Sequence, residues 1–418
     1  MSPTRRVVVV LVGLAVAALV VPPGLVAVAV VALVSATAVD ASVARRRPAI
    51  AVDVPAVLAR GVPAPLAVTA SAPPGTAVTL EVRQPLTPDL AVAPALGIGR
   101  IEGTVTGLRR GRHRLPGPAA RATGPLGLGR WDHRHPAATE VAVYPDLPAA
   151  RKLAISVRQG RFADQGRLTR GPLGLGTDFE SVREYSPDDD IRQVNWRATA
   201  RLARPMSNQY RVDQDRDVVC VVDTGRLMAA PLPGGATRLD AALDAVAAVA
   251  MVADEVGDRC GTLAFGADVR RRTSPRRRGG RAVVDVLFDL EPEPVESDYD
   301  LAFRRVGGGK RALVIVFTDL LDEGAARPLV EAVPVLARRH AVVVASASDP
   351  DLADMVAGPM STPLDAYAAS VAAEVLEART RVAHQLARAG AQVVEAAPAR
   401  LGAACVSTYL TLKSRARL

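Results

Sequence analysis

Aromatic residues make up only 3% of this 418-residue chain, too few to build the stacking platforms on which single-strand nucleic-acid binders hold bases. The basic runs Arg45 to Arg47 and Arg270 to Arg281 carry no interleaved aromatic, so the net charge of +9 does not point to a nucleic-acid partner. Lysine is nearly missing, present only at positions 152, 310 and 413, and the positive charge is almost wholly arginine. The three cysteines, Cys220, Cys260 and Cys405, sit inside apolar runs without C-x-x-C spacing. Odd in number and so placed, they read as small core residues in a reducing compartment and exclude a disulfide framework or zinc cluster. Five histidines leave little general-base material. Of these, His133 and His135 share one face of a strand, but no third metal ligand is in sight. There is no G-x-S-x-G, and Gly307-Gly308-Gly309-Lys310-Arg311 is no P-loop, because Arg304 stands at the first glycine position and Arg311 replaces the Ser/Thr. These absences argue against catalysis by this chain.

What is present begins with an apolar run from Val7 to Val39, broken only by Pro22-Pro23-Gly24. It is about twice the length of a signal-peptide core, and two prolines forbid one straight helix. The expectation is a transmembrane hairpin of two short helices, Val7–Val21 and Leu25–Val39. Arg5 and Arg6 before it and Arg45, Arg46 and Arg47 after it put both ends in the cytoplasm by the positive-inside rule. The less favoured readings are a single kinked span that exports the rest, and a cleaved signal.

The remainder divides by pattern. Residues 48–150 are punctuated by Pro and Gly and hold short alternating runs such as Leu66–Ala70, Ala77–Val82 and Glu140–Tyr144. These predict an antiparallel, sandwich-like β domain. The hexapeptide GPLGLG occurs at Gly124–Gly129 and again at Gly171–Gly176, and both copies read as loops rather than phosphate cradles. A polar segment follows at 151–215. From 216 to 418, strands at Asp217–Asp223, Gly261–Phe265, Ala312–Thr318, Ala341–Ala347 and Ala391–Glu395 alternate with helical runs. The helical runs are Leu239–Val256, Ala282–Leu290, Ala325–Arg339 and Leu364–Ala389. That alternation predicts a Rossmann-like, doubly wound parallel α/β sheet, whose functional residues belong at the carboxyl ends of its strands. Asp223 and Asp319 occupy such ends.

The densest chemistry lies just upstream, in TDFESVREYSPDDDIRQVNWRATAR, where Phe179, Arg183, Tyr185, Pro187, Asp189, Asp190, Arg192, Asn195, Trp196, Arg197 and Arg201 crowd together. This run resembles the signature of the bacterial family known as domain of unknown function 58. Asp188 departs from it, standing where a glycine is usual, and Gly124 stands where a "DPLGL"-like turn of the family has an aspartate. The resemblance implies a membrane-anchored, non-enzymatic adaptor that works beside MoxR-type AAA+ ATPases and other von Willebrand A-like proteins. Read from its residues, the segment is either a polar surface that docks a partner or clamps the α/β domain against the β domain, or a self-satisfied network. In the favoured network Arg183, Arg192, Arg197 and Arg201 pair with Glu184 and Asp188–Asp190, Trp196 is a buried anchor, and one edge faces a partner.

The C-terminal region also resembles the von Willebrand factor A-like fold, whose adhesion site holds Mg²⁺ or Mn²⁺ through a D-x-S-x-S loop, a threonine and a distant aspartate. Those hard cations want octahedral oxygen ligands. The resemblance carries Asp223 and Asp319 into that site and offers Thr237 as a weak candidate for the threonine. Both serines are lost, to Gly225 and Leu227, and Arg226 adds positive charge, so the implied site is degenerate. The alternative reading is a metal-dependent enzyme that uses Asp223, Asp319 and Asp188–Asp190.

Overall fold

The computed structural model describes residues 2–160, 163–164, 167–168, 178–186, 194–211, 216–306, 310–320 and 323–415. The chain forms two compact units, Met1–Tyr144 and Pro145–Leu418. The N-terminal helices therefore share a unit with the β region, and the signature segment shares one with the α/β sheet.

In the first unit, helix α1 (Arg5–Ala17) is followed by α2 (Pro23–Ala44). The expected break at the prolines is found, with Pro23 in the first turn of α2, where its missing N–H has no intrahelical partner to lose. The lengths differ from the expected 15 each. α1 stops after 13 residues, while α2 runs for 22. Its last turns continue past Val39 because they are held by the β region, where Thr37, Asp40, Ala41 and Ala44 are buried. Among the described residues one helix, Pro23–Ala44, is long and apolar enough to cross a membrane.

The β region contains a four-stranded antiparallel sheet built on Ala64–Ser71 and Arg100–Gly107. A five-stranded sheet includes Thr79–Arg83, Ala119–Thr123 and Gly129–Arg134, and a three-stranded sheet includes Thr139–Tyr144. Alternation along Ala64–Ser71 sends Leu66 and Val68 inward, where they meet Val82, Ile101, Val105, Leu115 and Val143 in one core drawn from all three sheets.

In the second unit, six strands form one sheet: β1 (Asp217–Asp223), β2 (Arg259–Phe265), β3 (Val269–Arg277), β4 (Ala312–Phe317), β5 (Ala341–Ala347) and β6 (Ala391–Ala396). Their order is β3-β2-β1-β4-β5-β6, parallel except for β3. Strands β1, β4 and β5 are runs of Val, Ile, Leu and Ala buried on both faces, as parallel strands between two helical layers must be. Val219, Val221, Val314 and Val316 pack against helices α7 (Tyr299–Val306), α8 (Glu323–Ala337) and α10 (Pro363–Arg388). Helices α5 (Arg238–Glu255), α6 (Gly280–Leu287) and α11 (Pro398–Ser414) pack together with the sheet as well, α5 and α11 against each other. α3 (Leu147–Arg158) leans on α5, and the Asp146 N–H donates to Asp244 at 2.9 Å. The basic run after Arg270 is the antiparallel edge strand β3, which turns arginines outward at the sheet margin. Charge on an edge strand opposes edge-to-edge pairing with another chain.

Candidate functional site at the strand ends

Strand order reverses between β1 and β4, and the carboxyl ends of these two strands frame the crevice in which doubly wound proteins place function. Asp223 closes β1 and is 1% exposed. Its Oδ1 accepts from the Gly225 N–H at 2.8 Å and from the Ser297 hydroxyl. Its Oδ2 accepts from the Tyr299 phenol at 2.8 Å and the Thr318 hydroxyl at 2.7 Å, and those two hydroxyls lie 2.8 Å apart. Burial, with the Asp223 charge beside it, pushes the Tyr299 phenol well above its ordinary value, so it stays a neutral donor. A cavity of about 390 Å³ opens beside this carboxylate, lined by Arg226, Leu227, Glu296, Ser297 and Tyr299. Arg226 pairs with Glu296 at its rim.

Asp319 follows β4 and is 3% exposed, yet its surroundings are different. Its Oδ1 lies 3.0 Å from an Arg238 nitrogen and 3.1 Å from one of Arg379. Arg379 is itself shared: its Nε donates to Glu395 at 2.6 Å, and another guanidinium nitrogen reaches Ser346 and the Ala347 carbonyl at 3.1 Å each. Arg238 also donates to the Ala347 carbonyl at 2.6 Å. Burial pulls the Arg238 guanidinium below its ordinary value, and Asp319 opposes that pull.

These donor sets do not fit an octahedral Mg²⁺ or Mn²⁺ of the adhesion type. Gly225 and Leu227 offer no side-chain oxygen, and a Cβ built on Gly225 would sit 2.1 Å from the Ser297 oxygen. The glycine is therefore fixed by close approach of the loop carrying Ser297, and a serine there would have to displace it. Asp319 is enclosed by two guanidiniums that would repel a cation. Thr237 caps α5, where its hydroxyl accepts from the Asp240 N–H. Among the described residues, no three His, Cys, Asp or Glu side chains gather to hold a metal ion. His133 lies 2.9 Å from the Ala44 carbonyl and His135 lies 3.1 Å from that of Ala137.

The signature segment is described in part. Phe179 and Arg183 lie on the strand Asp178–Glu184, paired antiparallel with Met206–Arg211. The Tyr185 N–H donates to Pro205 at 3.0 Å. Asn195 starts helix α4 (Trp196–Leu202): its oxygen accepts from the Ala198 N–H at 2.9 Å and its amide donates to Asn208 at 2.7 Å. Trp196 is 69% exposed, and Arg197 and Arg201 are exposed on the same short helix. The expectation of Trp196 as a buried anchor is therefore corrected: as the first residue of α4, directly after the Asn195 cap, it is turned to solvent. Glu184 pairs with Arg204, and Arg183 donates to the Glu184 carbonyl at 3.0 Å. Pro187, Asp188, Asp189, Asp190 and Arg192 lie outside the described residues, as does the second GPLGLG copy.

Sequence reasoning did not reach Ser297, Tyr299, Arg238 and Arg379. Ser297 precedes α7 and Tyr299 opens it, and no pattern marks either. Arg379 had a signal: it lies in the buried stripe of α10 with Ala369, Ala372, Val382 and Leu386, where an arginine needs a buried partner.

Curated relatives from Mycobacterium bovis and Mycobacterium tuberculosis, both uncharacterized proteins, are 28% identical over 221 residues, covering 49% of this chain. The chain spans 66% of the length of these relatives. A crystal structure of an uncharacterized membrane spanning protein from Vibrio fischeri aligns with 48% of the chain and 99% of its own at 13% identity, with a TM-score of 0.16. Residues 181–395, from the signature strand through β6, match the family described as protein of unknown function DUF58. The chain belongs to that family.

Proposed function

We propose that this protein is a membrane-anchored adaptor without catalytic activity of its own, whose α/β unit docks other proteins. The observation that carries this reading is the solvent-facing Trp196 with Arg197 and Arg201 on α4. Tryptophan and arginine dominate the hot spots of protein interfaces, and an exposed tryptophan flanked by arginines has the composition of such an anchor. The buried carboxylates support the same reading. Asp223 is met by four protein donors and the Oδ1 of Asp319 by two arginines, an arrangement that favours carboxylates shaping the strand-end surface over carboxylates holding a cation. A doubly wound sheet with aspartates at the ends of its two central strands supports the von Willebrand A-like relationship. The partners proposed are a MoxR-type AAA+ ATPase and other von Willebrand A-like proteins. The apolar N-terminal helices form the anchor, and the arginines on both flanks put the soluble units in the cytoplasm.

The test is binding of the full-length protein in detergent to a MoxR-type ATPase from the same organism. Trp196→Ala combined with Arg201→Ala should weaken binding at least tenfold, equivalent to about 1.4 kcal/mol. The far-UV circular dichroism should stay unchanged. Affinity that does not respond to the double substitution, or no binding by the wild type, overturns the reading.

A further inference from the structure

We infer that the N-terminal hairpin is a re-entrant anchor whose tip rests among lipid acyl chains and does not reach the opposite face of the membrane. This rests on the membrane anchorage proposed above and adds its depth.

The start of α1 and residue 40 of α2 are tied to the same loop, the GPLGLG turn at Gly124–Gly129. The Thr4 N–H donates to the Leu128 carbonyl at 2.9 Å, and the Thr4 hydroxyl to that of Gly127 at 2.6 Å. Ser2–Pro3 pairs with Gly129 and Arg130 as an edge strand. From α2, the buried Asp40 carboxylate accepts from the N–H groups of Leu126, Leu128 and Gly129 at 2.8, 2.7 and 2.8 Å. The loop is thus an anion cradle filled by the protein's own carboxylate. A Cβ on Gly124 would lie 2.3 Å from the Asp40 oxygen, which accounts for glycine at that position.

Both helices therefore leave the β region at one level, and the hairpin reaches no further than the helices permit. At 1.5 Å per residue, α1 rises about 20 Å and Pro23–Asp40 about 27 Å, against a hydrocarbon core of about 30 Å. Arg6 and Asp40 stay outside the hydrocarbon, which shortens the usable depth further. A 13-residue apolar helix fits a re-entrant or interfacial segment better than a span.

The tip has the chemistry of a segment that stays in lipid. No charged side chain occurs between Val7 and Val39. Leu19 and Val20, at the turn, are 84% and 89% exposed in the protein alone. A turn that emerges into water has no reason to present such side chains, whereas a lipid-exposed turn must satisfy its own backbone donors. This one does. Ala18, Leu19, Val20, Val21, Leu25 and Val26 all donate backbone hydrogen bonds at 2.8–3.4 Å, and Pro22 and Pro23 have no N–H to satisfy. Gly24 lies in the first turn of α2, where N–H groups have no intrahelical acceptor.

The base has the complementary chemistry of a headgroup layer. Arg5, Arg6, Arg45, Arg46 and Arg47 ring it, and the Arg45 guanidinium lies 5.4 Å from the centre of the Trp131 ring. Tryptophan and arginine concentrate at that depth, where anionic lipids attract basic side chains.

The experiment uses full-length Leu19→Cys and Arg46→Cys variants in membranes. The native cysteines are buried and stay silent to a membrane-impermeant maleimide. The inference expects Arg46→Cys to react from one face only and Leu19→Cys from neither. Leu19→Cys, spin-labelled in detergent and then reconstituted, should report high oxygen and low nickel-chelate collision rates, as a label in hydrocarbon does. Reaction of Leu19→Cys from the face opposite Arg46→Cys overturns the inference and leaves the anchorage standing. Release of the wild-type protein from membranes by carbonate overturns the anchorage, and the inference with it.

Discussion

The β-rich unit buries Asp40 against three backbone N–H groups of one loop, whereas the α/β unit buries Asp319 against the guanidiniums of Arg238 and Arg379. Both carboxylates are nearly inaccessible, yet the two solutions respond differently to change. Backbone amides are fixed by the loop and cannot be removed by substitution, so the Asp40 contact depends on the loop keeping its shape. Arginine partners are mobile charges, and removing one leaves another charge buried and uncompensated. Asp223 stands between these cases, with one amide and three hydroxyls.

The sharpest way to break that contrast is Arg379→Met. It strips Asp319 of one cation and leaves Glu395 without its 2.6 Å partner. Loss of one member of a buried ion pair costs about 3–5 kcal/mol. Urea unfolding followed by circular dichroism should show a loss of unfolding free energy of that size for the transition of the α/β unit. A cost under about 1 kcal/mol, the range of a surface pair, would mean the cage is open to water and the contrast is false.

Asp40→Asn should cost less. The asparagine oxygen still accepts from part of the loop, while its amide faces an N–H, and an unsatisfied buried donor costs about 1–3 kcal/mol. The local effect reads out as faster tryptic cleavage at Arg45–Arg47, once the last turn of α2 loosens. Should this variant prove more damaging than Arg379→Met, the ordering drawn here is reversed.

The same contrast explains what the sequence made legible. The doubly wound sheet is readable because β1, β4 and β5 are unbroken apolar runs, and their terminal aspartates stand out against that background. The edge strand β3 is not, because its Val269–Arg277 alternation is dominated by arginine and mimics a basic tail. Asp223 and Asp319 were legible as a pair of strand-end acids, but not their partners. Ser297 comes from a loop and Tyr299 from the first turn of α7, both placed by tertiary packing, and Arg238 and Arg379 come from two separate helices. The tie between Asp40 and Gly124–Gly129 leaves no side-chain trace, because every donor in it is main chain. The prolines marked the break between α1 and α2, though α1 already ends at Ala17. They gave no hint that α2 would run to Ala44, which only its burial against the strand Gly129–Arg134 explains.

The smallest expected effect near neutrality, and one that separates Asp223 from the other two, is alkaline destabilisation. Arginine partners and backbone amides do not titrate below pH 12, but tyrosine does. Tyr299 and Tyr409 are both held well above their ordinary value, chiefly by burial, with Asp223 and Asp258 adding to the shift. Cys260 is raised too, and burial pushes Cys405 up to about 12. For such acids the folded state binds protons that the unfolded state releases. Their contribution is fully present below the unfolded values and is lost as pH rises. Stability should stay level up to about pH 8.5, decline as unfolded thiols ionise, and fall more steeply above about pH 10 as unfolded tyrosines do. Each retained proton adds at most about 1.4 kcal/mol per pH unit to that slope. Tyr299→Phe removes one such proton and one hydrogen bond to Asp223, so it should lower stability by about 1–2 kcal/mol at pH 8 and flatten the decline above pH 10. Unchanged steepness in that variant would show that Tyr299 already ionises in the folded protein, and that Asp223 is not held by a neutral phenol.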